Sequence, residues 1–218
     1  MRALYLLLIL VVLGSGCERY NLKQPAYLNL NWRFASTSNS MGNVVISKGF
    51  FYSKEFSVSG IREKGSPVEI TKSLPVQKVQ FSTQDDLYIS LDVPMGNYTE
   101  FNLKALIDNT NNPSVRLEGT YYKGNLPHPM VIEWTDLDDL NFKVQNPFFL
   151  SKKKNYKVYI GFDVAKLFAT VPSTVWSGVN MPNQPGSGPT LVINKDTNPQ
   201  IYNAITEQLP NALVLTVE

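Results

Sequence analysis

Apolar residues recur at every second position in five separate stretches of this chain, a period that fits strands with one buried face and little else. Leu28, Leu30, Trp32 and Phe34 alternate with Asn29, Asn31 and Arg33, and Leu87, Ile89, Leu91 and Val93 alternate with Tyr88, Ser90 and Asp92. The pattern returns at Phe101, Leu103, Ala105 and Ile107, at Val115, Leu117, Gly119 and Tyr121, and at Tyr156, Val158, Ile160, Phe162 and Val164. A period of two sends successive side chains to opposite faces of a strand. Burial of one face only favours antiparallel pairing. Between the stretches stand Glu63-Lys64-Gly65-Ser66-Pro67, Pro94-Met95-Gly96-Asn97 and Asp108-Asn109-Thr110-Asn111-Asn112-Pro113, which supply the backbone angles that turns demand. The expectation is a mainly β domain built as an antiparallel β-sandwich or barrel-like sandwich.

The last quarter breaks this rhythm. Asp163 is placed to cap a brief helical turn from Ala165 to Phe168, after which Pro172, Gly178, Pro182, Pro185, Gly186, Gly188 and Pro189 make a loop at about 170–190. Long breaker-rich loops are usually functional or disordered. Beyond it, Asp196 or Asn198 can cap one short helix with Pro199 in its first turn and Ile201, Ile205 and Leu209 along one face. Leu213, Leu215 and Val217 then read as a closing strand. No internal repeat of fixed period is visible, and no linker divides 27–218, so the expectation is a single domain.

The start of the chain gives an address. Arg2 precedes an apolar run from Ala3 to Leu13, followed by Gly14-Ser15-Gly16-Cys17, and Cys17 is the only cysteine. That run is too short to cross a hydrocarbon core of about 30 Å as a helix. It reads as a lipoprotein signal over 1–16, with Cys17 lipidated and 17–26 as a tether. Such boxes usually carry leucine three positions before the cysteine; here Gly14 stands there, with Leu13 one step further back. Several acyl chains, at about 0.8 kcal/mol per buried methylene, make attachment effectively permanent. The expected location is the bacterial cell envelope, as an outer-membrane lipoprotein. Glu18-Arg19-Tyr20 is neither a retention signal nor an acidic export cluster, so the sequence leaves the facing open.

Charge narrows the partners. The chain holds 20 Lys and Arg against 18 Asp and Glu, and residues 1–16 contain only Arg2 among them. A nearly neutral domain lacks the basic stripe that nucleic acid requires. The one basic run, Lys152-Lys153-Lys154, reads as a solvated hairpin tip rather than a phosphate or lipid-head contact. With Cys17 committed to lipid, no disulfide forms within the monomer.

Two short motifs carry a resemblance. Val93-Pro94-Met95-Gly96-Asn97-Tyr98, between Leu91 and Phe101, is similar to the Pro-x-Gly-x-Tyr corner of a family of uncharacterised bacterial lipoprotein domains, and Gly161-Phe162-Asp163-Val164 resembles a strand of those domains that ends in Phe-Asp before a short helix. Similar corners occur in transthyretin-like and fimbrillin-like sandwiches. The resemblance covers about 28–168 and implies an envelope-anchored sandwich of immunoglobulin-like or transthyretin-like architecture. It assigns no catalytic residue and no cofactor.

The residue types needed for catalysis are sparse. A serine or cysteine nucleophile needs a base beside it, and the only histidine, His128, stands between Pro127 and Pro129 in what reads as an extended loop. Ser187, in Gly186-Ser187-Gly188, lacks the glycine spacing of a nucleophile elbow. Asp136, Asp138 and Asp139, near Glu133 and Asn141, offer oxygens for a cation such as calcium, but an EF-hand count from Asp136 puts Leu140 fifth and Asn141 sixth. A solvated turn is the simpler reading. Those carboxylates, or Asp85 and Asp86, would make a glycosidase pair only at a defined separation inside a cleft.

Aromatic residues give the remaining hint. Phe50-Phe51-Tyr52, Tyr121-Tyr122 and Phe148-Phe149 are neighbours that must face opposite ways in a strand, so some are exposed. Trp134, Trp176, Tyr121 and Tyr122 are the candidate contacts for a sugar ring or a partner's apolar patch, with packing into the sheet as the alternative. Trp176, in the breaker-rich loop, is the first choice for a contact surface. The expected function is a non-enzymatic, membrane-anchored interaction or structural module. The alternative is an accessory protein that binds carbohydrate or peptide for surface adhesion or nutrient uptake.

Overall fold

A computed structural model describes residues 25–82, 86–144 and 146–218. Cys17, the signal 1–16, most of the tether and Asp85 lie outside the described residues, and of Asp86 only the backbone is described. All five alternating stretches form strands: β1 (Pro25–Trp32), β4 (Asp86–Pro94), β5 (Gly96–Ile107), β6 (Val115–Lys123) and β10 (Asn155–Phe162). Leu28, Leu30, Trp32, Ile89, Leu91, Val93, Leu103, Leu117, Val158 and Ile160 are all buried, as the period requires. The breaker segments fall between strands: 63–67 joins β2 (Val44–Arg62) to β3 (Val68–Ser82), and the Pro94–Gly96 corner joins β4 to β5. Gly96 turns there with φ 146, a conformation L-residues avoid. The Tyr98 hydroxyl ties that corner by donating to the Pro94 carbonyl at 2.6 Å.

Further strands are β7 (Leu126–Trp134), β8 (Asp139–Val144), β9 (Phe148–Leu150), β11 (Asn183–Gln184), β12 (Gly188–Pro189), β13 (Leu191–Ile193) and β14 (Leu213–Val217). Twelve strands join one sheet in the order β13-β7-β6-β2-β5-β8-β14-β10-β1-β4, with β3 paired to β2 and β9 to β5. Strand β2 organises it. One edge pairs with β3; the other pairs with β6 as far as Phe51 and with β5 from Ser53 onward. The handover coincides with a register shift between Ser53 and Glu55, where the buried Ser53 hydroxyl lies 3.1 Å from the carbonyls of Glu55 and Leu106. Such bulges bend a strand and sharpen its twist.

The sheet is mixed, which corrects the antiparallel expectation. β1 runs parallel to β10, β7 to β13 and β8 to β14. Alternation reports how many faces are buried; it carries no information on the direction of a partner that returns after a long crossover. The sheet also curls. Trp32 of β1 meets Phe51 and Phe56 of β2 at 5.0 and 5.8 Å and Phe142 of β8 at 5.7 Å, while Phe81 of β3 contacts Phe34 and Phe162. Edge-to-face and offset-stacked aromatic pairs contribute about 0.5–1.5 kcal/mol each beyond area burial.

The C-terminal third follows its sequence signals closely. Asp163 caps α1 (Val164–Leu167), accepting from the Lys166 amide at 3.2 Å. α2 (Pro199–Ala212) starts at Pro199 and buries Ile201, Ile205 and Leu209, but the cap expected from Asp196 or Asn198 is not made: Asn198 stands at the N-cap position with no side-chain bond to the helix. β14 continues directly from it, between β10 and β8. The segment expected as a breaker-rich loop contains a 3-10 helix (Ser173–Gly178) and the small β11–β12 ladder. Two further local expectations are corrected. Lys152–Lys154 is exposed but is no hairpin tip, because β9 pairs with β5 whereas β10 pairs with β1 and β14. His128 lies within strand β7, opposite Tyr121. Its flanking prolines are tolerated because β13 joins the outer side of β7 only from Met130 onward. Among the described residues, no helix is long and apolar enough to cross a membrane.

Candidate functional site

The solvent face of β7-β6-β2-β3 gathers the densest group of interacting charged side chains among the described residues. Phe51 is fully buried, so its neighbours Phe50 and Tyr52 point outward. Register then builds a rung across four strands: Glu133 stands opposite Arg116, Arg116 opposite Phe50, and Phe50 opposite Gln80. On the next outward rung, Lys48 stands opposite Glu118. The Arg116 guanidinium donates through Nε to Glu118 Oε1 and through Nη1 to Glu133 Oε1, each at 2.8 Å. Lys48 Nζ lies 3.0 Å from Glu118 Oε2. Lys78 Nζ sits 4.0 Å from the centre of the Phe50 ring, which meets Tyr52 edge-on at 5.6 Å.

Lys48, Arg116, Glu118 and Glu133 line a groove of about 400 Å³, bordered on its far side by Gln184, Pro185 and Ser187 from the β11–β12 turn. Gly186 (φ 79) and Gly188 (φ 69) make that turn possible. A second hollow of about 370 Å³ shares Lys48 and Glu118 and runs on to Phe50, Lys78 and Gln80.

Partial burial pushes the Glu118 carboxyl upward, but hydrogen bonds and charge from Lys48 and Arg116 outweigh it and hold the group below its ordinary value of 4.5. A depressed folded value means that the stabilising contribution is present above pH 4.5 and is lost as pH falls through the folded value. Glu118→Gln is therefore expected to flatten the loss of melting temperature as pH falls below 4.5, leaving neutral stability changed by no more than about 1 kcal/mol because the pairs are partly solvated. An unaltered acid limb would remove Glu118 from this ion network. At neutral pH, Glu118 is ionised and cation-bound, a state suited to accepting hydrogen bonds and unsuited to delivering a proton.

The aromatic candidates divide differently from expectation. Trp134 and Tyr121 are core residues, 0 % and 3 % exposed, and Trp176 is 7 % exposed. This corrects their assignment to a contact surface. Trp134 points inward from β7 and donates Nε1–H to Thr206 Oγ1 of α2 at 2.9 Å. Trp176 folds back from the 3-10 helix to stack on Tyr121 at 5.5 Å and to meet Phe168 at 5.9 Å, so it anchors the loop. Tyr122 alone of the four is exposed, at 37 %. The adjacency argument itself holds for Phe50 and for Phe149, which lie outward beside buried or stacked neighbours.

The three aspartates do not converge. Asp136 accepts from the Tyr202 hydroxyl at 3.1 Å, Asp139 pairs with Lys104 at 2.8 Å, and Asp138 presents its backbone carbonyl to the Ile107 amide. Among the described residues, no three His, Cys, Asp or Glu side chains are grouped to hold a metal ion, which corrects the calcium reading. Sequence reasoning missed Lys48, Arg116 and Glu118. The available signal was Arg116 and Glu118 two apart on the polar face of an alternating strand.

Another cleft, of about 410 Å³, separates the 3-10 helix from the start of α2. Asn198 pins its base: the side chain accepts from the Asn180 amide at 2.9 Å and donates to the carbonyls of Asn180 (2.9 Å) and Val192 (2.6 Å). No protein-family model matches the chain, and comparison with curated proteins and with solved structures gives no match.

Proposed function

We propose that this chain is a lipoprotein of the bacterial outer membrane, held through Cys17, whose β-rich domain acts as a non-catalytic interaction or structural module. The observation that carries the non-catalytic part is the Arg116 rung, where both carboxylates of the groove are already bound by cations. The placement of the only histidine, half-buried on β7 opposite Tyr121, supports the same reading. We take the curled sheet to be a sandwich whose two layers meet at Trp32, Phe51 and Phe142, in keeping with the lipoprotein-domain resemblance.

A second reading, an accessory protein for carbohydrate or peptide capture, is favoured by Phe50. Its ring stands between Arg116 and Gln80 with Lys78 over one face, so a sugar that displaces the flexible Lys78 side chain would lay its apolar face on the ring while its hydroxyls meet planar donors and acceptors.

Cys17→Ala is expected to move the protein from the membrane to the soluble fraction and to abolish incorporation of labelled fatty acid. Membrane retention without label would overturn the anchor. For the groove, binding found in a glycan and peptide screen should fall at least about tenfold in Arg116→Ala, the loss of one charge-assisted contact. A screen with no hit removes the second reading.

A further inference from the structure

The turn between β9 and β10 carries three consecutive lysines and is bonded to the first described residues of the chain. The Lys153 amide donates to the Pro25 carbonyl at 2.8 Å, and the Tyr27 amide donates to the Lys154 carbonyl at 2.9 Å. The Tyr156 hydroxyl accepts from the Ser151 amide at 2.8 Å and holds the turn from behind. Lys152, Lys153 and Lys154 are exposed and make no ion pair among the described residues. Two carboxylates share this end: Asp92, opposite Tyr27 in the β1–β4 ladder, and Glu218, whose backbone pairs with Lys157. The four lysines Lys152, Lys153, Lys154 and Lys157 outnumber these two carboxylates, which leaves this end positive.

Two further features set this turn apart. Lys153 has φ 56, in the left-handed region that glycine adopts without strain, so a charged side chain is kept where the backbone would prefer none. Phe149, three residues before Lys152, is 56 % exposed, while its neighbour Phe148 stacks inward on Tyr98.

Cys17 and Pro25 are eight positions apart, so even an extended connection spans no more than about 28 Å. A lipid at Cys17 would therefore hold the Lys152–Lys154 turn close to the bilayer at high effective concentration. Lysines bound in this way feel the negative potential of anionic headgroups within a Debye length of about 8 Å. An exposed phenylalanine beside them supplies the apolar part of an interfacial contact.

We propose that the Lys152–Lys154 turn, together with Phe149, seats the domain on an anionic phospholipid surface. The proposal rests on the anchor proposed at Cys17 and assigns an orientation to it. β1 and β10 run parallel away from this end, so α1 and the segment after it are carried to the side far from the bilayer.

The test uses protein expressed from its full coding sequence with labelled fatty acid, purified in detergent and reconstituted into vesicles of phosphatidylcholine alone or mixed with phosphatidylglycerol. Acetylation rates of individual lysines are read by mass spectrometry. In the anionic vesicles, Lys152, Lys153 and Lys154 should react about fivefold more slowly than in neutral ones, while Lys166 at the far end of β10 is unchanged and high salt removes the difference. Lys153→Gly should raise the melting temperature and weaken the protection of its two neighbours. Label at Cys17 with equal rates in both vesicles would overturn the membrane contact and leave the anchor standing. Absence of label, with the protein leaving the membrane, would overturn the anchor and this proposal with it. Equal protection by inorganic phosphate without vesicles would assign the turn to a soluble anion and overturn the bilayer reading.

Discussion

Gly161→Ala is expected to separate β1 from β10 and to cost at least about 3 kcal/mol, a large share of the roughly 5–15 kcal/mol that keeps a domain folded. Gly161 lies where β10 passes the backbone of Arg33, and an added methyl would land on the Arg33 carbonyl oxygen. That obstruction is the Arg33 backbone itself, so no side-chain rotation relieves it. The strands are held there by the Arg33 amide donating to the Ile160 carbonyl and the Ala35 amide donating to the Phe162 carbonyl, both at 2.9 Å. Moving them apart breaks these bonds and disturbs Trp32 and Phe34, which pack directly beside them. Gly178→Ala is the matched control, since nothing lies within 4 Å of its added methyl and its backbone needs no special angle. Urea midpoints decide the matter: a clear fall for Gly161→Ala with Gly178→Ala within about 0.5 kcal/mol of the parent is the expected pair. Equal midpoints for both variants would refute the parallel β1–β10 pairing.

The strands that alternate without interruption were legible, and those whose phase is reset were not. β1 and β10 keep one period from end to end, so their buried faces could be read residue by residue. β2 is 19 residues long yet shifts register between Ile46 and Lys48 and again between Ser53 and Glu55. Each shift moves the apolar set to the other parity, and the strand then reads as short unrelated fragments. β7 was hidden by Pro127 and Pro129, which ordinarily argue against a strand and are accommodated here on a stretch β13 does not reach. Local capping chemistry was visible at Asp163 and in Pro199 at the first turn of α2, because it acts within one turn of helix, whereas the Asn198 side chain is drawn away from the helix end by Asn180 and Val192.

The groove was invisible for a different reason. Lys48, Gln80, Arg116 and Glu133 come from four strands, and only their mutual register brings them onto one face. No local period encodes that register. The aromatic candidates failed on the same point, since parity tells which residues share a face and leaves open whether that face meets solvent or the covering α2 helix.

Trp134→Ala should destabilise the fold by about 3–5 kcal/mol while leaving the groove chemistry in place wherever the variant is still folded. The ring is fully buried, lies 6.5 Å from Tyr202 and donates to Thr206, so truncation opens a cavity between β7 and α2 and removes that hydrogen bond. The backbone of the same residue stays fixed, because the Ser114 amide and hydroxyl both donate to the Trp134 carbonyl at 3.0 and 3.1 Å. Trp134→Phe keeps most of the apolar volume and removes the hydrogen bond, so its cost should be nearer 1–2 kcal/mol. Glu133 precedes Trp134 on the strand and therefore faces the other way, onto the groove. A ligand retained through Arg116 should accordingly bind Trp134→Phe as tightly as the parent at temperatures below its transition. Loss of binding with unchanged melting temperature would mean that Trp134 contacts the ligand, which a side chain enclosed by α2 cannot do without opening the core.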